Sequence, residues 1–209
     1  MLKNLLRHSK EHYVQPGPSF SVEHITPLNR LRNGDPGAIK AEHRAIRELL
    51  ETHGYEYTPW SEEDIAHVEK TLGLKINESV HRFLRQVGRV YGGYLTVYSP
   101  KSLVTGSHVL EKGVGRDWEK SYLPLFEFTL ATRSDVEDRG PLWVVGVWDT
   151  KVGKVNLMAF PFETTDMSAV EGLLDDITAQ LQHVSRDVNM SVRYLVMRLS
   201  GRYQFTAEN

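Results

Sequence analysis

The stretch Leu142-Trp-Val-Val-Gly-Val-Trp-Asp-Thr-Lys-Val-Gly-Lys-Val-Asn-Leu-Met-Ala-Phe160 decides the fold of this chain. Its two ends, Leu142–Trp148 and Val155–Phe160, are rich in the β-branched and aromatic residues that favour strands. Between them, Asp149–Lys154 contains a glycine and predicts a short connecting loop. The stretch therefore predicts a β-hairpin, and with it an antiparallel pair of strands.

Upstream of the hairpin, Tyr94–Tyr98 and Tyr122–Leu130 have the same strand composition. Helical patterns, with apolar residues three and four positions apart, lie on both sides of this group of strands. Helices are predicted from Ala38 to His53, from Ser61 to Gly73, from Asn77 to Gly88, and from a cap at Asp166 or Ser168 to Leu181. A last helix is predicted from Val188 to Leu199, and a strand is the alternative for this segment. Because strands and helices do not alternate, we predict an α+β fold in which helices pack on an antiparallel sheet.

The first 55 residues are predicted to form an extension of the main domain. Leu2, Leu5 and Leu6 share one face of a short helix, and Pro16, Pro18 and Pro27 break the segment that follows. The sequence thus divides into residues 1–55, a helical and loop extension, and residues 56–209, the α+β domain.

Composition limits the classes of function. The 209 residues include 25 basic and 27 acidic side chains, for a net charge of -2, and no cysteine. A chain without a concentrated positive charge is not expected to bind nucleic acid. The absence of cysteine excludes disulfides and fits a reducing compartment. With no signal-peptide pattern and no apolar run of about 20 residues, we expect a cytoplasmic location and no membrane segment.

Two motifs were weighed against simpler interpretations. His8-Ser-Lys-Glu-His12 has the H-x-x-E-H spacing of inverted zinc proteases, but it lies at the start of the chain, where a solvated helix face explains it better. The helices around Gly73 could form a helix-turn-helix, with basic residues at His81, Arg82, Arg85 and Arg89; an αα-hairpin packed on the sheet is the simpler interpretation. We therefore predict no catalytic residue, metal site or cofactor.

Tryptophans beside acidic residues suggest a place where a protein partner could bind. Such tryptophans are commonly buried, but tryptophan and tyrosine are also enriched at interface hot spots, and acidic neighbours suit a basic partner. The predicted partner-binding residues are Trp60, Glu62, Tyr91, Trp118, Glu119, Trp148 and Asp149.

From about residue 58 to 184 the chain resembles the SUKH superfamily, which includes bacterial toxin-immunity proteins and yeast regulators of cell-wall synthesis. An acidic helix ending in Leu-Gly-Leu, a second helix, a glycine pair, a Tyr-Leu-Pro strand, an Asp-to-Gly-Lys-Val hairpin and a final helix follow one another in that family's order. The corresponding stretches are Ser61–Ile65, Glu69–Leu74, Val80–Leu84, Gly92-Gly93, Tyr122–Phe126, Trp148–Val155 and Ala169–Leu181. The chain departs from the pattern at Ile76-Asn77, where the family has Leu-Pro, and at Tyr91-Gly-Gly93, where it has Asn-Gly-Gly.

The resemblance implies a non-catalytic immunity protein that neutralises a cognate toxin by direct binding. The alternative is a structural or regulatory interaction protein, such as an adaptor or a phage assembly component. A metal-dependent hydrolase using His8, Glu11 and His12 is a third possibility. An antiparallel sheet with an exposed edge also makes a homodimer possible.

Overall fold

A six-stranded antiparallel sheet forms the centre of the computed structural model, which describes residues 35–114, 121–130, 142–161 and 167–200. The strands lie side by side in the order in which they occur along the chain. They are β1 (Glu56–Thr58), β2 (Arg89–Tyr91), β3 (Leu95–Val97), β4 (Tyr122–Leu130), β5 (Leu142–Asp149) and β6 (Lys154–Pro161). This order makes β1 and β6 the two edges of the sheet formed by the described residues.

Helices surround this sheet. Within the described residues they are α1 (Pro36–Thr52), α2 (Glu62–Leu72), α3 (Glu78–Gln86), α4 (Pro100–Val114), α5 (Met167–Leu181) and α6 (Val188–Ser200). Local sequence sets their ends: Ser61 Oγ accepts the Asp64 N–H at 3.0 Å, and the Asp64 carboxylate accepts the Ser61 N–H at 2.9 Å. This capping box satisfies backbone donors that the first turn of α2 would otherwise leave unpaired. Gly73 ends α2 at a φ of 64°, a left-handed conformation that glycine adopts without steric cost.

The main core lies on one face of the sheet, which we call the inner face. Side chains alternate along a strand, so Leu142, Val144 and Trp148 of β5 share this face. The helices contribute fully buried side chains to the same core, including Ile46 of α1, Val80, Phe83 and Leu84 of α3, Ile177 of α5 and Leu195 of α6.

The outer face of the sheet carries a second, smaller core. Val145 and Val147 of β5 are buried there against Leu110 of α4, and Trp143 and Phe160 are packed beside them with part of their surface exposed. The α4 helix packs on β4, and the apolar surface continues beyond it onto β5 and β6.

Helix α1 belongs to the same packed unit as the sheet. It packs along α6, and its side chains Ile46 and Leu50 are fully buried in the main core, as Tyr55 nearly is. Residues 36–55, which the sequence assigns to an extension, thus contribute to the core of the domain. The short helix at Leu2–Leu6 and the motif His8–His12 lie outside the described residues.

The α+β fold with an antiparallel sheet is confirmed. The β5–β6 hairpin forms as predicted, and the ambiguous segment near the C-terminus is the helix α6. The sequence does not predict the three-residue strands β1 and β2 or the helix α4. No helix among the described residues is long and apolar enough to cross a membrane.

Candidate functional site

A close backbone approach holds β1 against the end of α3. Gly88 follows α3 with a φ of 68°, and a Cβ placed on it would lie 2.2 Å from the Thr58 carbonyl oxygen. The Trp60 N–H donates to the Leu84 carbonyl at 2.9 Å, which fixes the chain leaving β1 to the same helix. These two contacts hold β1 and the start of α2 against the segment that runs from α3 to β2.

Arg89 and Tyr91 form a packed pair on the outer face of this edge. Val90 between them is fully buried on the inner face, so its two neighbours point to the other side of the sheet. The Arg89 guanidinium carbon lies 4.4 Å from the centre of the Tyr91 ring, a cation–π distance. Tyr91 pairs with Glu56 across the strands. The Glu56 carboxylate raises the pKa of the Tyr91 hydroxyl, and partial burial is the smaller cause of the same shift.

Glu62, at the first turn of α2, joins the two helices of the hairpin. Its carboxylate oxygens lie 2.9 Å from Arg85 Nε and 3.1 Å from His81 Nε2. Arg85 also donates to the Trp60 carbonyl oxygen. Since Glu62 is exposed, water screens these contacts, and they contribute orientation more than stability.

Two of the predicted binding residues, Tyr91 on β2 and Glu62 at the start of α2, thus keep exposed surface. Tyr91 is opposite Glu56, and Glu62 follows a few residues after the end of β1. At about 3.3 Å per residue, the four residue spacings from Glu56 to Trp60 span roughly 13 Å. We refer to Glu56, Glu62, Arg89 and Tyr91 as the β1–β2 edge surface.

Trp60 and Trp148, which the sequence predicts as partner-binding residues, are instead buried. Their exposed fractions are 2% and 1%, and both indoles pack in the main core. The acidic neighbours interact within the chain: Glu62 stays exposed and contacts His81 and Arg85, and Asp149 accepts hydrogen bonds in the turn after β5. Neither indole N–H has a hydrogen-bond partner in the part of the chain that the structure describes, so each ring acts there as apolar bulk.

Asp149 is also a structural residue and not a surface contact. It is 8% exposed, and its carboxylate oxygen Oδ1 accepts the N–H groups of Lys151 at 2.9 Å and Val152 at 3.1 Å. It thereby fixes the turn between β5 and β6, as aspartate commonly does. Four strand spacings, roughly 19 Å, separate β5 from β1, so the predicted partner-binding residues on these strands do not form one surface. Trp118 and Glu119 lie outside the described residues.

Basic residues of the predicted recognition helix interact with polar groups of the chain itself. His81 and Arg85 lie against Glu62, and the positive charge of Arg82 acts on Asp187 at the start of α6. Burial raises the pKa of Asp187, while hydrogen bonds and Arg82 act in the opposite direction. Together with the apolar side chains of α2 and α3 in the main core, this agrees with the αα-hairpin interpretation.

Buried polar groups cluster where α1, α3 and α6 meet. Burial lowers the pKa of His43 on α1 to about 4, and the charges of Arg47 and Arg82 add to the effect. Nearby, Glu42 is 1% exposed, and its carboxylate lies 2.9 Å from Arg193 of α6. This cluster ties α1 to the domain through electrostatic contacts as well as apolar packing.

Two contributors to the β1–β2 edge surface escaped the sequence prediction of a partner site. The sequence indicates Arg89 only as a possible phosphate contact, and no pattern in it points to Glu56. Alternation around Val90 would have placed Arg89 and Tyr91 on one face, had the three-residue strand been recognised. In the described ranges no group of three or more His, Asp or Glu side chains could hold a metal ion.

No protein-family model matches the chain, and no curated protein matches it. The SUKH resemblance therefore stays a prediction that rests on the order of its motifs.

Proposed function

We propose that this chain is a non-catalytic protein-binding protein whose partner contacts the β1–β2 edge surface. The observation that carries the proposal is the Arg89–Tyr91 pair, stacked at 4.4 Å on the outer face of the sheet. Tyrosine and arginine are the residue types that, with tryptophan, dominate hot spots of protein interfaces.

Preorganisation makes this pair suited to binding. The guanidinium placed over the ring already restricts both side chains, so a partner has less conformational entropy to remove. Glu62, which is exposed and held by Arg85 and His81 of the chain itself, adds a further charged group beside this pair. The surface thus offers an aromatic centre with charged groups at its rim.

The specific form of the proposal is an immunity protein that neutralises a cognate toxin in the cytoplasm of the producing cell. The ordered SUKH-like motifs between residues 58 and 184 support this form. An immunity protein works by occluding the toxin and needs no chemistry of its own. The geometry of the β1–β2 edge supports only the wider statement that a protein binds there.

The test is co-expression of the full chain with the product of the adjacent gene. We expect the two proteins to co-purify in a stoichiometric complex and the chain to restore growth to cells that express a toxic neighbour. Arg89→Ala with Tyr91→Ala should weaken the affinity at least tenfold, which corresponds to about 1.4 kcal/mol. Arg44→Ala, at an exposed position on α1, is the matched control and should leave the affinity unchanged.

The outcomes separate the levels of the proposal. Binding without any effect on toxicity would replace the immunity role with that of an adaptor or assembly component. Full affinity in the Arg89 and Tyr91 variant would refute the assigned surface. Absence of a protein partner would refute the proposed function itself.

A further inference from the structure

The opposite edge of the sheet, strand β6, differs in character from the β1–β2 edge. The Val155 N–H donates to the Ser185 carbonyl at 2.7 Å, so the backbone groups of Val155 point away from β5. The pairing of β5 with β6 runs from Asp149↔Lys154 to Leu142↔Pro161 without a register shift. Because the direction alternates along a strand, the backbone groups of Leu157 and Ala159 also point outward.

Strand β6 carries the usual protection of an edge strand only at its two ends, Lys154 and Pro161. Natural edges carry charged side chains, prolines or bulges that prevent a further strand from pairing. Between Lys154 and Pro161, the residues of β6 are Val-Asn-Leu-Met-Ala-Phe, with no charge and no bulge. The side chains from Asn156 to Phe160 are each partly exposed.

We propose that two copies of this chain associate through antiparallel pairing of their β6 strands, centred on Ala159. Ser185 occupies the position beside Val155, so a second strand can pair only from Leu157 onward. In the resulting register Ala159 lies opposite Ala159 of the second copy, and Leu157 lies opposite its Pro161. The Ala159 N–H groups bind each other's carbonyls, and each Leu157 N–H binds a Pro161 carbonyl, giving four hydrogen bonds.

Proline at the end of β6 suits this register. Pro161 has no N–H, and the position requires only its carbonyl group. The pairing therefore uses every outward N–H between Leu157 and Pro161 in both copies.

The side chains on the outer face are complementary in the same register. Met158 lies opposite Phe160 of the second copy in a non-hydrogen-bonded pair, where side chains approach most closely. Contacts between methionine sulfur and an aromatic ring are favourable. Phe160 is already held by Trp143, at 5.1 Å between ring centres. The two-fold axis repeats each contact, so the apolar outer faces of both sheets become continuous.

Charge does not oppose the association. The two Lys154 residues, which are the charged residues of the strands, lie at opposite ends of the pair. Ten residue spacings at about 3.3 Å place them roughly 33 Å apart, beyond the Debye length at physiological salt.

The test uses the absence of cysteine from the chain. A single Ala159→Cys variant of the full chain should form a disulfide with itself, because hydrogen-bonded antiparallel pairs have Cα atoms about 5.5 Å apart. In a glutathione redox buffer at micromolar protein, we expect most of the chain to become a covalent dimer. Val109→Cys, at a 58% exposed position on α4, is the control and should give at least tenfold less covalent dimer.

Sedimentation velocity supplies an independent measurement. The unmodified chain should show a species of twice its 23.9 kDa mass at micromolar concentration. Met158→Lys puts a charge opposite Phe160 and should raise the dissociation constant of the dimer at least tenfold. Val152→Lys, at a 55% exposed position in the hairpin turn, should not.

Two results would overturn the proposal. One is a monomer at every concentration together with no disulfide in the Ala159→Cys variant. The other is a dimer that Met158→Lys leaves intact and Ala159→Cys does not cross-link, since that dimer would use another surface. Neither result bears on partner binding at the β1–β2 edge surface, which is tested separately.

Discussion

Replacing Gly88 by alanine tests the close approach on which the β1–β2 edge surface depends. Gly88 and Gly73 follow the two helices of the same hairpin, and both have left-handed backbones, with φ of 68° and 64°. An alanine in that conformation costs about 1 to 2 kcal/mol at either position. The two positions differ in the space around them, which makes Gly73→Ala the matched control.

The difference in space sets the expected magnitude. A Cβ on Gly88 would lie 2.2 Å from the Thr58 carbonyl oxygen and 2.8 Å from the Pro59 Cα, both backbone atoms, whereas no described atom lies within 4 Å of a Cβ on Gly73. Overpacking of this kind typically adds about 1 to 3 kcal/mol. We therefore expect Gly73→Ala to lower the free energy of unfolding by about 1 to 2 kcal/mol, and Gly88→Ala by about 2 to 5 kcal/mol.

Urea unfolding followed by far-UV circular dichroism measures the difference. With a urea dependence of about 2 kcal/mol/M, the extra cost at Gly88 corresponds to a midpoint roughly 0.5 to 1.5 M below that of Gly73→Ala. Because Gly88 precedes Arg89, the same variant should also weaken partner binding. Equal midpoints for the two variants would show that β1 does not press on this glycine, and the assigned position of the edge would be wrong.

The cluster between α1 and α6 gives two further predictions. The pKa of His43 is lowered from 6.5 to about 4, so the unfolded chain binds a proton that the folded chain excludes, and stability falls as the pH drops through 6.5 toward 4. We expect the free energy of unfolding of the unsubstituted chain, measured in urea titrations, to fall between pH 7 and pH 5 by about 1 to 2 kcal/mol more than that of His43→Gln. His67→Gln, at an exposed position, is the control and should behave like the unsubstituted chain. Arg193→Met should lower the unfolding free energy by about 3 to 5 kcal/mol because it leaves the charge of buried Glu42 without Arg193. Adding Glu42→Met should recover much of that loss. Equal stability of the single and double variants would contradict this account.

Long segments with strong patterns were predictable from the sequence, and short ones were not. The strand Tyr122–Leu130 has the predicted bounds because nine residues of strand composition leave little ambiguity. Three residues, as in Arg89–Tyr91, show no period of their own, so β2 forms through pairing with its neighbours. Helix α4 was missed since Pro100–Val114 contains Gly106, Gly113 and several β-branched residues of low helix propensity.

The errors at Trp148 and Asp149 could have been avoided. Trp148 has the same parity along β5 as Leu142 and Val144, so a strand with a buried inner face places its indole in the core. Asp149 begins the turn, where an aspartate accepts hydrogen bonds from the next residues. An acidic neighbour in sequence therefore says little about whether a tryptophan at the end of a strand reaches solvent.

The two proposals assign the two edges of one sheet to different partners, and this has a consequence for stoichiometry. Pairing through β6 leaves both β1–β2 edge surfaces free and directs them outward from the two-fold axis. In the resulting sheet of twelve strands, the two β2 strands lie nine spacings apart, roughly 40 Å at about 4.8 Å each. Two partner molecules can then bind without touching, so the complex should contain two copies of each protein, and Met158→Lys should convert it to one of each without a change in the affinity of a single site. A fixed complex of two chains with one partner would instead require that partner to bridge both surfaces, because neither surface lies near the β6 contact.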